Sequence, residues 1–181
     1  TEESMELIVS AQKLGYRKIC CTSHYRAGRY ENKNYDETLK KLRSQLEINK
    51  IDIELIEGNE LFLDLDGLTA LKEKKVKTLN RGDYLLVEAI PGMTETALKK
   101  FLEMIIDLGY RPVLAHVERY PFINFKTLLN LSSEESPFII EETAIAPAFI
   151  MGLKGLLKDV SNFFIELKGS PVGSIPIFEK I

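Results

Sequence analysis

The sequence predicts a parallel α/β fold, and three observations carry that expectation. Short β-favouring stretches alternate with helical periodicity four times along the chain, the pattern of strands joined by helical crossovers. Of the 181 residues 45% are hydrophobic, enough to bury a core in a single domain covering residues 1–181. Each of the four best strands also ends at or beside a His or a Glu, an order not expected of random surface polarity.

The elements follow in turn. Thr1 suits a helix N-cap, and Met5, Ile8, Val9 and Leu14 keep a helical spacing until Gly15. Lys18 to His24 reads as a short buried strand. Residues 25–35 form a polar loop, and a helix starts at Asp36 with Leu39, Leu42 and Leu46 on one side. Ile51 to Ile56 alternates at period two, which predicts a strand running toward Gly58-Asn59-Glu60. A short helix near Leu68 to Lys74 and a strand from Tyr84 to Glu88 come next. Thr94 caps a helix bearing Leu98, Phe101, Leu102, Ile105 and Leu108, Gly109 ends it, and Arg111 to His116 is the fourth strand. Further on, residues 126–131 and 148–158 look helical, Pro137 to Ile140 reads as a strand, and residues 168–181 as an irregular tail.

Composition excludes several classes of function. A net charge of −3 with scattered Lys and Arg gives no basic footprint for nucleic acid. The apolar runs at Ile139-Ile140 and Phe163-Phe164-Ile165 meet a glutamate at once, far short of the ~18 residues a membrane helix needs. No signal peptide is legible. The two cysteines, Cys20 and Cys21, are adjacent and ill-placed to bridge each other, which predicts reduced thiols and a cytoplasmic setting.

His24 ends the first strand, Glu60 lies just past the second, Glu88 ends the third and His116 the fourth. The C-terminal ends of parallel strands converge on one face, where active sites form. Spacings of 28 residues from Glu60 to Glu88 and from Glu88 to His116 suit one strand–helix unit per ligand. One such residue is most often a polar group at a solvent boundary. Four in succession, using both histidines of the chain, point to a site for manganese, iron or zinc.

Thr22-Ser-His-Tyr-Arg-Ala-Gly-Arg-Tyr30, Gly58-Asn-Glu60, Tyr84-Leu-Leu-Val-Glu88 and Ala115-His-Val-Glu-Arg-Tyr120 resemble, in order and context, the CpsB/YwqE-type phosphatases. These are PHP-domain protein-tyrosine phosphatases acting on bacterial tyrosine kinases of capsule and exopolysaccharide synthesis. The resemblance covers residues 1–120, and residues 121–181 diverge. It implies a distorted (β/α) barrel of seven strands holding up to three metal ions. It also implies His24, Glu60, Glu88 and His116 as metal ligands, Glu60 bridging two ions, with manganese the expected metal. Arg119 would orient the phosphate or stabilise its developing charge, and Arg26 and Arg29 would meet the phosphotyrosine or its flanking peptide. Clustered cations polarise phosphoryl oxygens and lower the pKa of a bound water, while guanidinium groups grip phosphate as a fork. For Arg26 and Arg29, ordinary solvation of a loop arginine is the competing account.

The family's Asp-x-His-x-His and Ser-Asp-x-His patterns do not occur in this sequence. The first would precede Thr1, so an N-terminal truncation is expected; no histidine follows His116 to supply the second. These gaps keep open a non-catalytic or impaired scaffold that binds a kinase or phosphopeptide. A PHP phosphoesterase of another substrate, such as histidinol phosphate, is a further alternative. Cys20 and Arg26 also satisfy Cys-x5-Arg, the spacing of thiol phosphatases, but no glycine lies between them and Cys20 falls inside a strand. His116→Ala is expected to abolish metal binding and hydrolysis while leaving the circular dichroism spectrum largely intact; normal activity in that variant would rule out the site.

Overall fold

In a computed structural model, residues 2–13, 16–115, 120–122 and 139–140 are described. The strands β1 (Lys18–Tyr25), β2 (Glu54–Leu63), β3 (Tyr84–Ala89), β4 (Arg111–Leu114) and β5 (Ile139–Ile140) form one sheet in sequential order. Every pairing is parallel. The helices are α1 (Glu2–Lys13), α2 (Tyr35–Ile48), α3 (Leu65–Lys72) and α4 (Glu95–Asp107), with a 3₁₀ turn at Leu79–Arg81. The alternation read from the sequence is therefore the architecture, and none of the described helices is long and apolar enough to cross a membrane.

The helices pack on one face of the sheet. Strand side chains alternate between faces, so Leu61 and Leu63 of β2, Leu85 and Val87 of β3 and Leu114 of β4 share a surface. Against it lie Leu68 and Leu71 of α3 and Leu98, Leu102 and Ile105 of α4, all nearly or wholly excluded from solvent. Ile8 of α1 and Leu39, Leu42 and Leu46 of α2 pack on Leu55 and Ile53 in a second cluster. Among the described residues the opposite face carries a smaller apolar cluster, Leu79, Leu86, Val113 and Ala115, with Cys20 and Tyr84 at its margin.

Local chemistry explains the helix ends. Thr94 accepts a hydrogen bond from the Ala97 amide as an N-cap, as its sequence position predicts. Gly109, at φ +87°, closes α4 with its amide donating to the Ile106 carbonyl.

The fourth strand, expected over Arg111 to His116, is seen over Arg111–Leu114, with His116 outside the described residues, and two elements differ more from expectation. The second strand was expected over Ile51 to Ile56 but runs Glu54–Leu63. Every residue from 55 to 61 is buried, as befits a parallel strand covered on both faces, and such a strand has no reason to alternate. The alternation at Ile51 and Ile53 reflects packing against α2 instead. Glu60 consequently lies inside β2, not past its end. The third helix begins at Leu65 rather than Leu68, because Asp64 caps it by accepting from the Gly67 amide at 2.7 Å. It stops at Lys72, with Lys74 left-handed at φ +58°. Ile139–Ile140 falls within the strand expected there. The expected helices at 126–131 and 148–158 and the tail at 168–181 lie outside the described residues.

Tyr35 fastens α2 to the sheet. Its hydroxyl donates to the Cys21 carbonyl at 2.6 Å and accepts from the buried Gly58 amide at 2.9 Å, linking β1 to β2. Tyr35→Phe leaves both backbone groups short of a partner, and a loss of about 1–3 kcal/mol in urea unfolding is expected. Burial pushes the Tyr35 phenol from 10.0 up to about 12. Because the folded value exceeds the unfolded one, this stabilisation is complete below the unfolded pKa and is lost as pH rises through the folded one. The stability gap between wild type and Tyr35→Phe should therefore narrow between about pH 10 and 12, a trend that urea midpoints across that range will check.

Candidate metal centre

Parallel pairing sets His24 directly beside Glu60, their Cα positions partners in the β1–β2 register. Glu60 in turn pairs with Leu86, so Glu88, two residues on, projects from the same face of β3. The three side chains converge: His24 Nε2 lies 3.7 Å from Glu60 Oε2 and 3.7 Å from Glu88 Oε2. One donor atom from each falls within 4.8 Å of the others. Glu60 is buried and Glu88 nearly so, while the imidazole is half exposed and opens the site to solvent.

These residues fit a divalent cation. Two carboxylates brought together away from water repel each other, and burial disfavours both charges. Glu88 Oε2 is buried and has no hydrogen-bond partner among the described residues. His24 at 3.7 Å stands too far to serve as one. A cation between the donors would offset the repulsion, and a mixed imidazole and carboxylate set suits manganese, iron or zinc.

Beside the three donors lies an aromatic row. Phe62, two residues beyond Glu60 on the same face of β2, stacks on the His24 ring with centroids 5.4 Å apart and planes 26° from parallel. Tyr30 packs on Phe62 at 5.8 Å. The Arg26 guanidinium stands 5.9 Å over the Phe62 ring, and its Nε donates to Asp64 Oδ2 at 2.8 Å. Asp64 thus uses one oxygen to cap α3 and the other to hold Arg26.

The loop itself is tightly closed. The Arg26 and Tyr30 backbones exchange two hydrogen bonds of 2.9 Å, Arg29 donates to the Arg26 carbonyl, and Gly28 takes φ +69° at the turn. Arg29 is exposed on this turn.

Of the residues singled out by sequence, His24, Glu60 and Glu88 are brought together, and Arg26 lies alongside them. His116 and Arg119 lie outside the described residues. Flanking them, the buried Tyr120 donates from its hydroxyl to the Ala115 carbonyl at 2.6 Å and accepts from the Ala89 amide at 3.0 Å. It thereby ties the ends of β3 and β4 together next to Glu88. Sequence reasoning gave no role to Phe62, Asp64 or Tyr120. Period two from Glu60 would have placed Phe62 on the ligand face, had β2 been given its true length. The thiol reading has no geometry to support it. Cys20 lies inside β1, paired with Ile56 and packed at the apolar cluster, and no helix begins there. Burial pushes the neighbouring Cys21 thiol upward, away from thiolate character.

The chain is similar in sequence and in fold to known proteins. The chain is 33% identical over 121 residues to the tyrosine-protein phosphatase CpsB of Streptococcus pneumoniae, covering 66% of this chain and 50% of that protein. It is 28% identical over 119 residues to the putative tyrosine-protein phosphatase CapC of Staphylococcus aureus, covering 65% and 47%. The chain thus spans about half the length of the curated relatives it matches. Its fold is similar to a chain in the crystal structures of YwqE from Bacillus subtilis and CpsB from Streptococcus pneumoniae, described as unique metal-dependent tyrosine phosphatases. The TM-score is 0.58 at 24% identity, covering 70% of this chain and 50% of that one. The family model for capsular polysaccharide synthesis, CpsB/CapC, matches residues 1–135, well over half of the sequence, and the chain belongs to that family.

Proposed function

We propose that this chain acts as a metal-dependent protein-tyrosine phosphatase on a phosphotyrosine protein of capsule or exopolysaccharide synthesis, such as a bacterial tyrosine kinase. The observation that carries the reading is the convergence of His24, Glu60 and Glu88 on one open face of the sheet. The names of the CpsB and CapC relatives support the substrate class. Sequential parallel strands with helices on one face also support a distorted (β/α) barrel as the complete fold.

In this reading His24, Glu60 and Glu88 hold the metal, joined by His116. A bound divalent ion supplies Lewis-acid polarisation of the phosphoryl group and lowers the pKa of the attacking water. The protein's own groups do the rest. Glu60 and Glu88, fixed on adjacent strands, would hold the ion at one place on the sheet, and the phosphoryl group would meet it there. Phe62 fixes the plane of the His24 imidazole. Arg26, held through its Nε by Asp64, and Arg29 on the turn place positive charge at the mouth, where the phosphate and the flanking peptide arrive. Arg119 stabilises charge developing on the phosphoryl oxygens.

Elemental analysis of the purified chain, paired with phosphotyrosine-peptide hydrolysis with and without manganese and a chelator, tests this directly. Bound metal and an activity lost on chelation are expected; no metal and no hydrolysis with manganese supplied would overturn the reading. Glu88→Gln should weaken manganese affinity by at least roughly 10–100-fold, the range that follows loss of even a supporting partner. The same variant should unfold at a higher temperature than wild type in chelator, because it relieves the clash of buried carboxylates. Differential scanning calorimetry in manganese and in chelator will show both effects.

A further inference from the structure

Tyr30 is a large aromatic side chain that remains 55% exposed, yet its position is closely fixed. Its backbone exchanges both hydrogen bonds with Arg26, whose guanidinium is anchored on Asp64. Its ring leans on Phe62, which stacks on His24. Folding alone gives little reason to order a loop so firmly around a side chain left in water, and rigidly held exposed aromatics are the groups that proteins use to bind.

The row His24–Phe62–Tyr30 leads outward from the metal donors. The His24 imidazole is half exposed and Tyr30 is exposed, so the row borders the open side of the candidate site. We propose that Tyr30, backed by Phe62, forms a wall against which the aryl ring of a phosphomonoester packs, so that the site selects aryl over alkyl phosphates. The inference rests on the phosphatase reading and deepens it. Aromatic rings in edge-to-face or offset contact gain more than their buried area alone provides, and an alkyl chain cannot reproduce that contact. Arg26, standing over the Phe62 ring, holds this wall beside the charge that meets the phosphate.

The test uses non-hydrolysable phenylphosphonate and propylphosphonate, titrated into the manganese-loaded chain by calorimetry, with kcat/KM for phenyl phosphate and propyl phosphate measured alongside. In Tyr30→Ala the phenyl-over-propyl preference should fall about three- to tenfold, the scale of one aromatic pair. Tyr30→Phe, which keeps the ring, should retain the preference. An unaltered preference in Tyr30→Ala, with phenylphosphonate still bound by wild type, would overturn the aryl wall and leave the phosphatase reading standing. Wild-type chain that takes up manganese but binds neither phosphonate would overturn both.

Discussion

Everything at the candidate centre depends on the register between β1 and β2. His24 shares a face with Glu60 and Glu88 because it pairs with Glu60, and a slip of one residue would turn its imidazole to the helix face. The pins that hold this register sit beside it. Ser23 pairs with Asn59, and the Asn59 amide donates to both the carbonyl and the hydroxyl of Ser23. The same buried side chain accepts from the Lys77 amide, drawing in the crossover that leads to β3. Two positions back, the Tyr35 hydroxyl joins Cys21 to Gly58. Directed polar contacts, which unlike hydrophobic packing tolerate no sliding, fix the chemistry in place.

Division of the sheet into a packed face and a reactive face explains how buried acids can be tolerated. The helix side carries the large apolar clusters and most of the burial that stabilises the fold. Among the described residues the side bearing His24, Glu60 and Glu88 carries a smaller apolar cluster, Leu79, Leu86, Val113 and Ala115. Gly58 helps to seat that cluster, since a Cβ there would lie 2.6 Å from Leu79 Cδ2. The electrostatic cost of the buried acids falls at the candidate site and is offset by packing on the other surface.

The fold class was legible because helices and strands alternate with distinct periods and with caps such as Thr94 and Gly109. The candidate cluster was legible because His24, Glu60 and Glu88 recur once per strand of the alternation, a pattern that requires no knowledge of side-chain packing, although Glu60 lies inside β2 and not at its end. What escaped were features that depend on tertiary contact. β2 is buried on both faces, so periodicity misplaced it and hid Phe62. Asp64 reads as an ordinary loop acid until Arg26, 38 residues earlier, is found against it. Tyr120 sits in a recognisable motif, yet its work of joining Ala89 to Ala115 emerges only when two strands lie side by side.

Asp64 has one further consequence. Its two oxygens serve two different elements, the first turn of α3 and the loop bearing Arg26 and Tyr30. Opening either element strands the carboxylate in a partly buried setting with half its bonds unmade. The loop and the helix start should therefore open and close as one cooperative unit, with common amide-exchange protection. Order at the mouth of the site is thus inherited from the helix behind it and does not await a substrate.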